Sequence, residues 1–316
     1  MGLRETFHKQ GGMRLIKQYI HSGSLGVALS EFLLLGKSRT ALEILRLSTQ
    51  LKVKKKLERK YRKTLESFDQ SFDSSLEHKY SNKVWICWLQ GLEQAPEIVK
   101  KCFYSVQRNL CDHEIILITS DNMNEYVQFP DYIIDKWRQG IITNTHITDL
   151  LRLELLTQYG GMWLDATVFC SSKSSDIPDF FFNSDLFFYQ SLKPGRDGKS
   201  IYFSSWLMSA KSNTRILLAT KELCYEYWKK NNKMIDYFLL HHFLSIVLDK
   251  YDDEWKRIVP ISNSIPHILW LRFFEEFDSR IWESLKNQTP FHKLSYKYDK
   301  QNELLPNTYY RVLFDQ

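Results

Sequence analysis

The first 80 residues contain no proline and no tryptophan, although the chain of 316 residues holds 8 and 9 of them. The same stretch carries 16 Lys and Arg against 8 Asp and Glu, while the remainder carries 27 against 29. Composition and charge therefore change together near Tyr80, which predicts a basic arm over residues 1–80 and a main domain over 81–316. Cysteine is scarce as well. Cys87, Cys102, Cys111, Cys170 and Cys224 form an odd set of 5 with no C-x-x-C pair, which fits neither a disulfide framework nor a zinc knuckle and suits a reducing compartment. No uncharged apolar run of about 18 residues occurs, so no bilayer span is expected. The opening residues lack the basic, apolar and small-residue segments of a signal peptide, and a cytoplasmic chain is expected.

What the arm does have is one long helical pattern. Val53, Leu57, Tyr61, Leu65, Phe68 and Phe72 recur every three or four residues and form a single stripe. Around them lie Lys52, Lys54, Lys55, Lys56, Arg59, Lys60, Arg62 and Lys63. Two readings follow: a solvated basic face whose apolar stripe packs on the main domain, or a basic amphipathic helix resting on an anionic membrane. No nucleic-acid motif or aromatic platform accompanies the charge, so no nucleic-acid partner is expected.

From Lys83 onward strands and helices alternate. Residues 84–89 read as a strand stopped by Gln90-Gly91, Pro96 opens a helix with Val99, Phe103, Val106 and Leu110 on one side, and residues 114–119 form a second strand. This is a parallel βαβ opening, and such sheets bind ligands at the carboxyl ends of their strands. A nucleotidyltransferase would open similarly, but Gln90-Gly91-Leu92-Glu93 holds one glycine where a phosphate loop needs several. A helix over 148–159 follows, with Thr145 or Thr148 as its cap and Gly160 as its end, and then a strand over 162–169. Further strands are predicted over 186–190 and 202–209, helices over 214–230 and 234–251, and an irregular tail from Pro290 to Asp315. Residues 171–198 are expected to shape the acceptor side of a site.

The chemistry concentrates between Asp149 and Thr167. Asp149 and Arg152 lie three apart on a helix and so share a face. Gly160-Gly161 permits a tight turn, and Asp165 emerges where an apolar strand ends, a way to fix an anionic ligand for a metal or a hydroxyl. Downstream, Asp236 and His241 are polar groups inside an apolar helical pattern, five apart and roughly on one side, which makes them candidates for a catalytic role.

This segment resembles the D-x-x-R…Y-G-G-x-W/Y-x-D signature of sugar-nucleotide-dependent glycosyltransferases of the capsular polysaccharide synthesis type. That family is related to the family 32 mannosyltransferase-like enzymes and more distantly to glucosylating bacterial toxins. The resemblance extends to K-V-W-I-C-W-L-Q-G from Lys83, Ala95-Pro96-Glu97, Pro130 to Ile134, Phe203 to Ala210, and His292-Lys293-Leu294. It implies an α/β fold with a GT-A type, Rossmann-like glycosyltransferase domain behind the helical arm. It further implies a hexosyltransferase that takes sugar from a nucleotide-sugar donor, UDP-linked, to a lipid-linked oligosaccharide acceptor of a capsular or surface polysaccharide, with retention.

By the same resemblance Trp88 lies against the nucleotide base with Gln90 beside it. Asp149 and Arg152 bind sugar and ribose hydroxyls, Gly161 lets the backbone approach the donor, and Asp165 is the first acid of a D-x-D motif. The second acid is replaced by Thr167. A divalent cation, Mn²⁺ or Mg²⁺, is expected at Asp165, with His292 closing over the diphosphate as ligand or hydrogen-bond donor. Lys293 or Lys297 is available to neutralise the leaving group. The basic arm then suits a protein held peripherally at the inner face of the cell membrane, where such an acceptor is presented. The neutral Thr167 keeps open a catalytically silent carbohydrate-binding or scaffold protein, and the toxin likeness a protein-modifying transferase.

Overall fold

The structure is a computed structural model that describes residues 13–192 and 200–314. The opening residues read above for a signal peptide, and residues 193–199 of the segment assigned to the acceptor side, lie outside the described residues.

Three helices build the arm: α1 (Met13–Ser22), α2 (Leu25–Leu35) and α3 (Arg39–Ser71). Ser38 caps α3 by accepting from the Ala41 amide at 3.0 Å, satisfying one of the donors that every helix start leaves open. Val53, Leu57, Tyr61 and Leu65 of its apolar stripe are buried in the main core. The Tyr61 ring meets Phe243 edge-on at 5.2 Å and Tyr227 at 6.1 Å. The stripe is thus packed on the main domain and is not available to a membrane. Each such side chain contributes about 1.5–3 kcal/mol by leaving water. Lys52, Lys55, Arg59, Arg62 and Lys63 remain exposed on the other side. Lys54 instead turns inward, 2.7 Å from Asp249 and 3.0 Å from the Tyr202 hydroxyl, which ties the arm to the core by a charged bond. Helix α2 is different in kind. Its sequence LGVALSEFLLL is apolar on nearly every side, yet among its residues only Ala28 is buried.

The main domain is a five-stranded sheet in the order β2-β1-β3-β6-β5, with β1 (Lys83–Cys87), β2 (Glu114–Ile118), β3 (Gly161–Asp165), β5 (Leu186–Gln190) and β6 (Phe203–Ala210). β1 runs parallel to β2 and β3, and β6 returns antiparallel to β3 and β5. Alternate residues face opposite cores: Trp85, Trp163 and Met208 on one side, Val84, Ile86, Met162 and Leu164 on the other. Burial on both faces explains why these strands read as continuous apolar runs. The first core is covered by α3, α6 (Asn144–Gln158), α7 (Arg215–Lys230) and α8 (Leu239–Lys250), and α5 (Asp131–Arg138) packs on α7. The second is covered by α4 (Glu97–Asn109), α9 (Ser279–Gln288) and the C-terminal segments.

The α/β architecture with a helical N-terminal arm is as expected, and four local expectations change. The strand over 162–169 is two: β3 ends at Asp165, the chain turns at Ala166-Thr167, and β4 (Val168–Cys170) pairs in a separate two-stranded sheet with β7 (Phe291–Lys293). β7 therefore lies inside the tail read as irregular. Helix α6 starts one turn early because Thr143 is its cap, accepting from the His146 amide at 3.3 Å. Helix α8 starts only at Leu239, which leaves Asp236 in the turn before it.

The glycine pair is a packing device. Gly160 and Gly161 have φ of 71° and 94°, in the left-handed region that penalises a Cβ. A Cβ on Gly161 would sit 2.3 Å from the carbonyl oxygen of Lys83, the first residue of the neighbouring strand. Gly161 lies at the end of β3 opposite Asp165, away from the cavity described below, so its expected role in donor binding is corrected to one of strand approach.

Candidate active site

β1, β2 and β3 end at one edge, where the register places Cys87 between Ile118 and Asp165. A cavity of about 1150 Å³ opens over this edge. Trp88 and Gln90 enter it from beyond β1, Asp149 and Arg152 from α6, and Asp165 and Thr167 from the turn after β3. Because β6 runs the other way, its beginning supplies Ser204, Ser205 and Trp206; His241 comes from α8 and Lys293 from β7. The fourth wall is the arm, through Glu43, Arg46, Leu47 and Gln50 of α3.

A chain of charges crosses the floor. Arg152, buried with 4% of its side chain exposed, donates from Nη1 to Asp149 Oδ1 at 2.7 Å and from Nη2 to Asp165 Oδ1 at 3.2 Å. Its guanidinium lies 4.7 Å from the centre of the Trp163 ring, and the Trp163 indole N–H donates to Asp165 Oδ1 at 3.1 Å. Lys293 Nζ closes the chain by donating to Asp165 Oδ2 at 2.8 Å and to Thr167 Oγ1 at 2.7 Å. Burial pushes the Asp165 carboxyl up, but the charges of Lys293 and Arg152 outweigh it and hold the group below the ordinary carboxylate range. Asp149 behaves alike, with His146 and Arg152 overcoming burial; His146 Nδ1 lies 3.4 Å from its Oδ2. Both carboxylates are ionised at neutral pH, and two cations balance them.

The walls are aromatic. Trp88 meets Tyr296 edge-on at 5.5 Å, and its indole N–H has no hydrogen-bond partner among the described residues. The Trp206 indole N–H is also without one. A buried indole N–H usually finds a partner, so these two mark a surface that a polar ligand would complete.

The structure brings together Trp88, Gln90, Asp149, Arg152, Asp165, Thr167, His241 and Lys293. It does not bring Asp236. That carboxylate accepts from the Phe238 amide at 2.8 Å and from Gln18 of α1 at 2.6 Å, and lies 3.4 Å from His242. It holds the turn before α8 against the arm, so its catalytic candidacy is withdrawn. His241 stacks on Phe203 with centroids 5.2 Å apart and its Nε2 lies 3.1 Å from Ser205 Oγ. Burial lowers its pKa to about 4, so it is a neutral hydrogen-bonding group and a weak base at pH 7.

His292 is also absent from the cavity. Neighbouring residues of a strand face opposite ways, and with Lys293 at Asp165, His292 is buried between Phe169 and Trp282, its Nε2 3.0 Å from Ser171 Oγ. Burial lowers its pKa to about 3. The charge on Asp165 is therefore met by Lys293, not by His292. Two contributors went unseen in the sequence, and both carried a signal: Trp163 shares a strand face with Asp165, two residues on, and His146 shares a helix face with Asp149, three residues on.

A divalent cation prefers several oxygen ligands. Here Asp165 is the one acid of the D-x-D position, Oδ2 is taken by an ammonium, Oδ1 by a guanidinium and an indole, and Thr167 offers a neutral hydroxyl. Among the described residues no three His, Cys, Asp or Glu side chains gather as a metal site. The residues present do not fit a divalent cation.

The family profile for capsular polysaccharide synthesis proteins matches residues 38–313. An O-glycosyltransferase, braB, of Annulohypoxylon truncatum is 30% identical over 106 residues, a match that covers 31% of this chain and 25% of that protein. The solved structure of the PaToxG glycosyltransferase superposes with a TM-score of 0.38 at 10% identity, over 82% of this chain and 95% of that one.

Proposed function

The chain belongs to the capsular polysaccharide synthesis protein family, and on that premise we propose that it is a glycosyltransferase. It moves a hexose from a UDP-linked donor to a lipid-linked oligosaccharide acceptor. The observation that carries this reading is the charge-balanced chain Asp149–Arg152–Asp165–Lys293 at the carboxyl edge of a parallel sheet, under a cavity of about 1150 Å³. Ligand pockets commonly measure about 300–1,000 Å³, so this one has room for a donor and the end of an acceptor together. Trp88 offers the nucleotide base a ring, and its unpaired N–H a contact. Asp149 and Asp165, ionised and fixed, accept from sugar and ribose hydroxyls, and Arg152 donates to their oxygens.

Retention is the stereochemistry these residues favour. Among the described residues, the carboxylates lining the cavity are Glu43, Asp149 and Asp165. Glu43 pairs with Arg46 on the arm, and the other two are engaged by Arg152 and Lys293. None of the three is placed as a free base for an acceptor hydroxyl, which an inverting transferase would need. The test is a panel of UDP- and GDP-sugars, read by thermal shift and by release of nucleoside diphosphate. A UDP-hexose is expected to raise Tm and to be hydrolysed slowly without acceptor. Stabilisation without nucleotide release toward water or any acceptor would make the chain a binding protein, and no response at all would remove the reading.

The acceptor's lipid gives the arm its role. No described helix is long and apolar enough to cross a membrane. Yet Leu29, Leu33 and Leu34 of α2 are 56%, 73% and 80% exposed, and Ile44, Leu47 and Leu51 continue an exposed apolar strip along α3. Exposed Lys52, Lys55 and Arg59 flank that strip. An apolar face bordered by basic residues suits peripheral attachment to an anionic cytoplasmic leaflet, α2 at the acyl boundary and the lysines at the headgroups. Sedimentation with phosphatidylglycerol vesicles at low salt is expected to pellet the protein. Leu29, Leu33 and Leu34 all changed to Ser should weaken partitioning by about 100-fold, at roughly 1 kcal/mol for each partly inserted leucine; equal pelleting of the variant would assign attachment elsewhere.

A further inference from the structure

At the D-x-D position, whose residues do not fit a divalent cation, the chain supplies a cation of its own. Lys293 Nζ lies 2.8 Å from Asp165 Oδ2 and 2.7 Å from Thr167 Oγ1, bridging the two residues between which a metal would be shared. A small dedicated scaffold puts it there. The turn at Ala166-Thr167 leads directly into β4, β4 pairs with β7 in a register that sets Lys293 opposite Val168, and the Leu294 amide donates to the Thr167 carbonyl at 2.9 Å. The strand that carries the ammonium is thus zipped to the same turn that carries Asp165 and Thr167. An ammonium has three N–H donors, and two are engaged on these side chains. The third has no partner among the described residues, and Lys293 lines the cavity.

We propose that Lys293 takes the place of the divalent cation, so that sugar transfer by this chain requires no metal. The inference rests on the nucleotide-sugar reading above. In the step it serves, the bond between the sugar C1 and the β-phosphate oxygen breaks with its electron pair going to that oxygen. The acceptor hydroxyl oxygen bonds to C1, and its proton passes to the released diphosphate. Negative charge therefore grows on the diphosphate, and a positive group fixed beside it stabilises the transition state more than the ground state. Thr167 fits this arrangement where an aspartate would not. A second carboxylate would give the balanced chain a net negative charge that repels the diphosphate, whereas a hydroxyl positions the ammonium and adds no charge.

The test compares UDP binding by calorimetry and nucleotide release from the UDP-hexose of the panel, in EDTA and with Mn²⁺, with GDP in a parallel arm. EDTA-treated wild type is expected to bind UDP and to release nucleotide within about twofold of the Mn²⁺-supplemented protein. Lys293→Met, folded by its thermal midpoint, is expected to lose at least 100-fold in kcat while donor KM changes less than tenfold, and Lys293→Arg to recover part of that loss. UDP binding or turnover that disappears in EDTA and returns with Mn²⁺ would overturn this inference and leave the nucleotide-sugar reading standing. Full activity in Lys293→Met would do the same. Failure to bind UDP or GDP under either condition would remove both.

Discussion

Gly161→Ala is expected to lower Tm by about 10 °C. Two costs add. The backbone at Gly161 has φ of 94°, where an L side chain is strained by about 1–3 kcal/mol. The new Cβ would also meet the Lys83 carbonyl oxygen at 2.3 Å, a backbone atom of β1 that cannot swing aside as a side-chain tip can. Relief requires β1 and β3 to separate at the start of their pairing, and the sum of about 4 kcal/mol converts to roughly 10 °C for a domain of this size. Gly91→Ala is the control, because its φ of 78° carries the strain but nothing lies within 4 Å of the added carbon. A few degrees are expected there. Equal losses at the two sites would mean that strand approach contributes nothing.

Asp165→Ala is expected to reduce nucleotide release from the donor by at least about 10³-fold with little change in far-UV circular dichroism, which is about 4 kcal/mol of lost transition-state stabilisation. Asp165 sits at the end of a strand with about a third of its side chain exposed, so removing it opens no core cavity. It does release Arg152 and Lys293 together, and the two cations that organise the floor lose their common partner. Asp149→Ala is a poorer probe of chemistry. It would leave buried Arg152 beside an unfilled space, sharing Asp165 with Lys293, and breaking a buried pair costs about 3–5 kcal/mol, so activity and folding would fall together. A folded and active Asp165→Ala protein would sink the site.

The parts of this fold that were legible in the sequence are those that local pattern determines. Val84 to Leu89 is apolar because β1 is buried on both faces, Pro96 opens α4, and the Asp149–Arg152 pair is visible because helix neighbours recur at three residues. What long-range pairing decides was not legible. In the run over 162–169 the dividing turn is marked only by Asp165 and Thr167, since the apolar residues of both halves are buried. β7 is three residues long, too short for its alternation to stand out, and its register on β4 alone decides that Lys293 rather than His292 meets Asp165. A strand assignment there would have forced that choice, because adjacent residues cannot both face one site. Asp236 was misread for a similar reason. Helical spacing put it beside His241, but the helix had not yet begun, and a carboxylate three residues before a helix start binds the backbone instead.

Helix α3 has one further consequence. It is continuous over 33 residues, roughly 50 Å, and its second half is locked into the core, so its first turns stand at a fixed distance from the sheet. The residues it lends to the cavity, Glu43 to Gln50, lie only about 6–17 Å along the axis from its start, beside the exposed leucines of α2. With those leucines seated in a bilayer, as proposed, the helix would act as a ruler that sets the height of the reacting centre above the lipid. On the proposed function, a centre held that low would meet sugars next to their anchor and miss the far end of a long polymer.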